Sequence, residues 1–149
     1  MKIMFICTGN ICRSAMAHAM LEQEAKLHNK KVEVYSCGIY AEDGDRPTEE
    51  AISVLKTIYN VDLTNHRATN IENSPIQEMD VILCATTSHK NNVINKYPKL
   101  KEKTFTIKEY AGYPANDLDI HDPWGCSYET YKKCAKEING CINRIIEKI

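Results

Sequence analysis

Cys7 and Arg13 bracket five residues, Thr8-Gly9-Asn10-Ile11-Cys12, and Ser14 follows directly. The run comes after a short apolar stretch, Ile3 to Ile6, and before a helix-like segment. A thiolate, a guanidinium and a curl of backbone amides together suit a tetrahedral oxyanion. A loop that turns into a helix N-terminus aims successive N–H groups at one point, and the helix dipole adds positive potential there. Arg13 presents a fork that matches two phosphate oxygens. Gly9 admits close backbone approach, and Asn10 tolerates left-handed backbone angles. The same field favours the thiolate form of Cys7, which is the competent nucleophile. Ser14 and Asn10 are placed to bond the sulfur or to brace the loop. Thr8 to Ser14 is therefore the expected phosphate-binding set, and attack on phosphorus through sulfur is the expected chemistry. A cysteine and an arginine at this spacing recur by chance; the strand before them and the Gly, Asn and Ser around them give the pattern its weight. The Gly-Lys-Ser/Thr ending of a nucleotide-binding loop is absent, which argues against nucleotide hydrolysis.

The elements that must position this loop follow from periodicity. Ile3–Ile6 reads as a buried strand. Ser14 is expected to cap a helix running to about His28, with Ala15, Met16, Ala19, Met20 and Leu27 toward the core and Asn29-Lys30-Lys31 ending it. Val32–Cys37 alternates as a second strand. Pro47 suits the first turn of a helix to about Tyr59, with Ala51, Ile52, Leu55 and Ile58 as its apolar stripe. Asp80–Ala85 reads as a third strand, Ser88–Lys96 as a helix, and Thr104–Ile107 as a short fourth strand. Tyr110 to Gly125 is a loop rich in Gly, Pro and Asp. Tyr128–Ile149 reads as a long last helix, with Tyr131, Ala135, Ile138, Ile142 and Ile145 on one side. Strands alternating with helices imply an α/β fold, a four-stranded parallel sheet with helices on both faces in a three-layer, Rossmann-like arrangement. Ligands of such sheets bind beyond the carboxyl ends of the strands, where the Cys7 loop sits.

The chain has 149 residues, which fits one domain with a real core. Hydrophobic residues make up 43% and charged residues 26%, ordinary values for a globular protein. The net charge of -1 points neither to nucleic acid nor to an acidic membrane surface. No apolar run reaches the roughly 18 residues a membrane span needs. Met1–Ile6 is too short for a signal peptide, so a cytoplasmic location is expected. Seven cysteines are an odd number without an export signal, so reduced thiols are expected. No cysteine pair has zinc-site spacing and the histidines are scattered, so neither a metal nor another cofactor is expected.

Cys7–Ser14 followed by Met16-Ala17 resembles the signature of low-molecular-weight protein tyrosine phosphatases. The resemblance extends over nearly the whole chain: Tyr35-Ser36-Cys37-Gly38 is similar to the family's second strand and turn, Asn65-His66-Arg67-Ala68 to its mid-chain histidine segment, and Asp122-Pro123-Trp124-Gly125 to its Asp-Pro-aromatic loop. Ala15, where the family usually has Pro, and Cys37, where it usually has Ala, are departures. The resemblance implies hydrolysis of a phosphorylated protein by a single phosphatase domain over residues 1–149, read as a monomer.

Within that reading each residue takes a role. Cys7 is the nucleophile and Arg13 the clamp. Cleavage also needs a proton for the leaving oxygen and then a base for water, and Asp122, ahead of Pro123-Trp124, is the candidate. Asp117 and Asp119 are rival carboxylates in the same loop. Trp124 suits one pocket wall and Tyr40 the opposite one, with Ile11 between them. Ser36 and His66 are expected to support Asn10. His18, His28, His89 and His121 are read as ordinary structural histidines. Cys12 lies in the same curled loop as Cys7, and a reversible disulfide between them would guard the nucleophile against over-oxidation. Cys84, Cys134 and Cys141 are read as core.

The bacterial members of the family include protein arginine phosphatases, and Thr106–Tyr110 with the downstream Asp-Pro-aromatic-Gly segment resembles that branch. Those members carry Thr at the position of Ile11, where a hydroxyl helps orient water toward a phosphoguanidinium. An apolar Ile11 instead packs against an aromatic ring, so phosphotyrosine is the expected substrate and phosphoarginine the alternative. An arsenate reductase would need two further closely spaced cysteines; Cys84 has no such partner near His89. A phosphocysteine carrier would need the loop without Asp122.

Overall fold

The computed structural model describes residues 1–149. Four parallel strands, β1 (Lys2–Cys7), β2 (Glu33–Gly38), β3 (Val81–Cys84) and β4 (Thr104–Thr106), form one sheet in the order β2-β1-β3-β4. The register pairs Ile6 with Cys37 on one side and with Cys84 on the other. The chain steps from β1 to one neighbour and then crosses to the other, so the carboxyl ends of β1 and β3 flank a topological switch point.

Helices cover both faces. Arg13–Leu27 (α1), Glu49–Tyr59 (α2), Thr87–Lys96 (α3), Ile107–Tyr110 (α4) and Tyr128–Ile145 (α5) follow in chain order, with 3-10 turns at Ile71–Asn73, Ile76–Glu78 and Pro98–Lys103. Strand side chains alternate between faces. Ile3, Phe5, Val81 and Leu83 join the larger core, which takes its other members mostly from α1, α2 and α5. Met4, Ile6, Ile82 and Cys84 join a smaller one closed by Val93 of α3 and by the 3-10 turns. Burying each such side chain contributes about 1.5–3 kcal/mol, and burial on both faces explains why β1 and β3 read as continuous apolar runs. No helix is long and apolar enough to cross a membrane.

The expected elements are all present, and their ends differ for local reasons. α1 begins at Arg13 with Cys12 as its N-cap and no side-chain cap bond, so Ser14 lies inside the first turn and does not cap it. Leu27, expected inward, is the last residue of α1 and is 69% exposed. Thr48 caps α2 by accepting a bond from the Ala51 amide, which places Pro47 just outside the helix; Ile58 faces solvent. β4 stops at Thr106 because its hydroxyl and Glu109 form a capping box that starts α4. α5 ends at Ile145, four residues before the chain end, and its stripe Tyr131, Ala135, Ile138, Ile142 and Ile145 is buried as expected.

Candidate active site

β1 delivers Cys7 to the carboxyl edge of the sheet, and the chain curls through Thr8–Cys12 into α1. The curl depends on Asn10, whose φ of 57° lies in the left-handed region. That conformation is costly for a side-chain-bearing residue, and Asn is among the few that tolerate it. The fold holds it at three points. The Asn10 carbonyl accepts a 2.7 Å bond from His66 Nε2, its Oδ1 accepts from the Thr69 amide at 2.9 Å, and its Nδ2 donates to Ser14 Oγ at 2.8 Å. Gly9 carries no such demand: its φ is not positive, and a Cβ there would meet only Ile11, at 3.5 Å. The close approach falls instead on Gly38, where a Cβ would lie 2.5 Å from the Thr8 carbonyl oxygen and 2.9 Å from the Asn10 nitrogen.

Ser14 Oγ lies 2.9 Å from Cys7 Sγ. Because that oxygen already accepts from Asn10, its own hydrogen is free to point at the sulfur. The amides of the first turn of α1 have no side-chain cap, which leaves the positive end of the helix without a side-chain partner. Arg13 is 4% exposed. Its Nη1 donates to the Ile120 carbonyl at 2.9 Å and its Nη2 lies 3.5 Å from Asp122 Oδ2. A cavity of about 230 Å³ opens over these groups, lined by Cys7, Thr8, Gly9, Ile11, Cys12, Arg13, Asp122 and Trp124. A larger cavity of about 420 Å³ lies behind the loop, among His18, Ser36 and His66, away from Cys7 and Arg13.

The loop after α4 brings Asp122 over the cavity through a series of anchors. Lys108, 5% exposed, holds Asp117 at 2.8 Å and Glu137 at 2.8 Å. Asp119 Oδ1 accepts from the amide and the hydroxyl of Thr87, at 2.7 and 2.9 Å. The Ile120 amide donates to Ala85 at the end of β3. Asp117 and Asp119, the rival carboxylates, are thus engaged as tethers. Asp122 Oδ1 accepts from the Trp124 amide at 3.1 Å, which fixes the turn that presents both side chains. Trp124 is 64% exposed, as a rim residue of the cavity.

Three expected placements differ. Tyr40 is 73% exposed and is not part of the cavity lining. Its amide donates to the Thr8 carbonyl, so that segment braces the loop through backbone and leaves the ring in solvent. Ser36 does not reach Asn10: its hydroxyl bonds His18 Nδ1 at 2.8 Å, and His18 meets the His66 ring edge-on at 6.1 Å. His89, read as structural, bonds Thr8 Oγ1 at 2.8 Å. Only its place three residues beyond Thr86, near the end of an apolar strand, hinted at this. Cys12 is a free thiol whose Sγ lies 3.3 Å from the Tyr131 hydroxyl; burial pushes it up to about 11. Burial likewise lowers the His66 imidazole from its ordinary value. Cys84, Cys134 and Cys141 are buried and free.

A strand-loop-helix oxyanion cradle with a cysteine at its base and a carboxylate over its mouth defines a cysteine-dependent phosphatase. The model of the low molecular weight phosphotyrosine protein phosphatase family matches residues 2–149, and the chain belongs to that family. The chain is similar to a protein-arginine-phosphatase of Geobacillus stearothermophilus, 36% identical over 151 residues that cover 99% of this chain and 95% of the relative. Its structure resembles that of a low molecular weight protein tyrosine phosphatase from T. tengcongensis, with a TM-score of 0.94, 38% identity, and 100% and 99% of the two chains covered. It also resembles a cysteine-to-serine mutant of the YwlE arginine phosphatase with a phosphorylated active-site serine, with a TM-score of 0.92, 28% identity, and 99% and 95% covered. The chain is a phosphatase acting on phosphorylated protein.

Proposed function

We propose that residues 1–149 act as one domain that hydrolyses phosphotyrosine in proteins through a cysteinyl-phosphate intermediate. Cys7 Sγ attacks phosphorus while the leaving oxygen departs with a proton from Asp122. Arg13 and the loop amides hold the equatorial oxygens as charge develops. Water, giving its proton to Asp122, then attacks the phosphocysteine; inorganic phosphate leaves and the thiolate returns. No step requires a metal or cofactor.

The observation that carries this reading is the 2.9 Å contact of the Ser14 hydroxyl with Cys7 Sγ beneath the cavity that Arg13 and Asp122 also line. It places a hydrogen-bonded sulfur at the base of a cavity able to take a phosphate. The phosphorylated active-site serine of the related mutant structure supports transfer onto this position. The choice of phosphotyrosine rests on Ile11, which lines the cavity with Trp124 and offers an apolar surface to a ring.

A second reading, phosphoarginine hydrolysis at the same site, is favoured by the relatives named protein-arginine-phosphatase. Turnover of matched phosphotyrosine and phosphoarginine peptides separates the two. Faster phosphotyrosine cleavage is expected, and faster phosphoarginine cleavage reverses the assignment.

A further inference from the structure

We propose that His89 is a positioning residue of this site, bonded to Thr86 through one ring nitrogen and to Thr8 through the other, and that it turns the Thr8 hydroxyl hydrogen toward the phosphoryl group. The proposal rests on the phosphatase reading above.

His89 belongs to the first turn of α3, which leaves the carboxyl end of β3, whereas Thr8 belongs to the loop leaving β1. The imidazole therefore spans the switch point between the two strands. It is 8% exposed, and both ring nitrogens are engaged, Nδ1 with Thr86 Oγ1 at 2.9 Å and Nε2 with Thr8 Oγ1 at 2.8 Å. The direction of the chain of bonds follows from Thr86. Its oxygen caps α3 by accepting from the His89 amide at 3.2 Å. The ring is the one protein acceptor the hydroxyl reaches, and we assign its hydrogen to Nδ1. Nε2 of the neutral ring then carries the proton and donates to Thr8 Oγ1. The Thr8 hydroxyl, with its oxygen occupied, has its own hydrogen left for the cavity that Thr8 lines.

A neutral ring is what the surroundings favour. Burial lowers the imidazole to about 4, and the nearby Arg13 guanidinium acts in the same direction against the weaker opposing pull of Asp122 and Asp119. The bonding pattern thus persists across the working pH range of a neutral enzyme. A donor oriented in advance toward a transferring phosphoryl group assists the transition state more than bound substrate, and it appears in kcat.

The test combines kinetics with spectroscopy on the full chain. Thr8→Val and His89→Ala are each expected to lower kcat about tenfold, the scale of one lost hydrogen bond, with KM within about twofold. The double variant is expected to be no slower than either single one. His89→Gln, whose amide nitrogen reaches the Nε2 position, restores most of kcat, and far-UV circular dichroism reports the folded fraction used to normalise every rate. Wild-type kcat in His89→Ala, or multiplying losses in the double variant, overturns the proposal. Ring 15N–1H correlation spectra judge the bond without catalysis: a neutral His89 protonated at Nε2, with that resonance moved in Thr8→Val, supports it, and protonation at Nδ1 alone sinks it. Absence of wild-type activity on any phosphorylated peptide rejects the phosphatase reading, while the spectra still decide the bond.

Discussion

Arg13 Nη2 and Asp122 Oδ2 lie 3.5 Å apart, so the buried guanidinium of the cavity also holds the carboxylate over its mouth. Arg13 is buried and Asp122 exposed. The arginine is therefore the fixed member, and the carboxylate is the one that adjusts when a substrate enters. Replacing Asp122 by Asn is expected to lower kcat by roughly 10²–10⁴ for a phosphotyrosine peptide, the range typical of a lost general acid. The loss shrinks with a leaving group that needs no proton, such as nitrophenolate. Cys7→Ser abolishes turnover with the thermal transition unchanged. Equal losses for both leaving groups would remove Asp122 from the acid role.

Gly38 is pinned beneath the loop by the Thr8 carbonyl and the Asn10 nitrogen. Both neighbours are backbone, so they cannot swing aside. Gly38→Ala is expected to displace the phosphate loop and to destabilise the fold by about 1–3 kcal/mol. Chemical denaturation measures the second effect, and phosphate affinity measures the first. Gly9→Ala, which meets ordinary contacts, serves as the comparison and leaves stability nearly unchanged.

Cys12 shares the catalytic loop with Cys7, and burial keeps it protonated. Under dilute hydrogen peroxide the Cys7 thiolate is expected to form a sulfenic acid, which the Cys12 thiol attacks with loss of water to give a disulfide. Mass spectrometry after peroxide treatment then finds a Cys7–Cys12 cross-link, and thiol reductant restores activity. In Cys12→Ser the same treatment drives Cys7 to irreversible acids. Full recovery of that variant would argue against the pair.

His89 also carries a stability signature. Its imidazole is lowered from 6.5 to about 4 in the folded chain. The unfolded chain binds the proton first, so stability falls as pH drops from about 6.5 to 4 and is unaffected above that window. That lowering sets an upper scale of roughly 3 kcal/mol. His66, lowered in the same direction, adds to the slope. Melting temperatures of His89→Gln between pH 7 and 4 should fall less steeply than those of the wild type; identical slopes would place the acid sensitivity elsewhere.

The Cys7–Arg13 loop and the strand-helix alternation were legible in the linear chain, because they depend on short-range pattern. Cys7, Arg13 and Ser14 lie within eight consecutive residues, and a strand ending in such a curl has few ways to fold. Runs such as Ile3–Ile6 and Asp80–Ala85 announce strands buried on both faces, and the α5 stripe repeats at helical spacing. Asp122 was readable from its Pro-aromatic neighbours. What could not be read was which distant side chain completes each hydrogen bond. The resemblance placed His66 at Asn10, as the structure has it, but Thr69 reaches Asn10 across fifty-nine positions and His89 reaches Thr8 across eighty-one, and neither was expected. Ser36 turned to His18, and Asp117 and Asp119 became tethers to Lys108 and Thr87. Buried polar groups take whichever partners the packed sheet and helices bring within 3 Å, and leaving one unmade costs about 1–3 kcal/mol. That choice depends on the register of β1 against β3 and the seat of α3. Residue order alone therefore singled out the candidate reacting groups, and only the tertiary structure decided what holds them still.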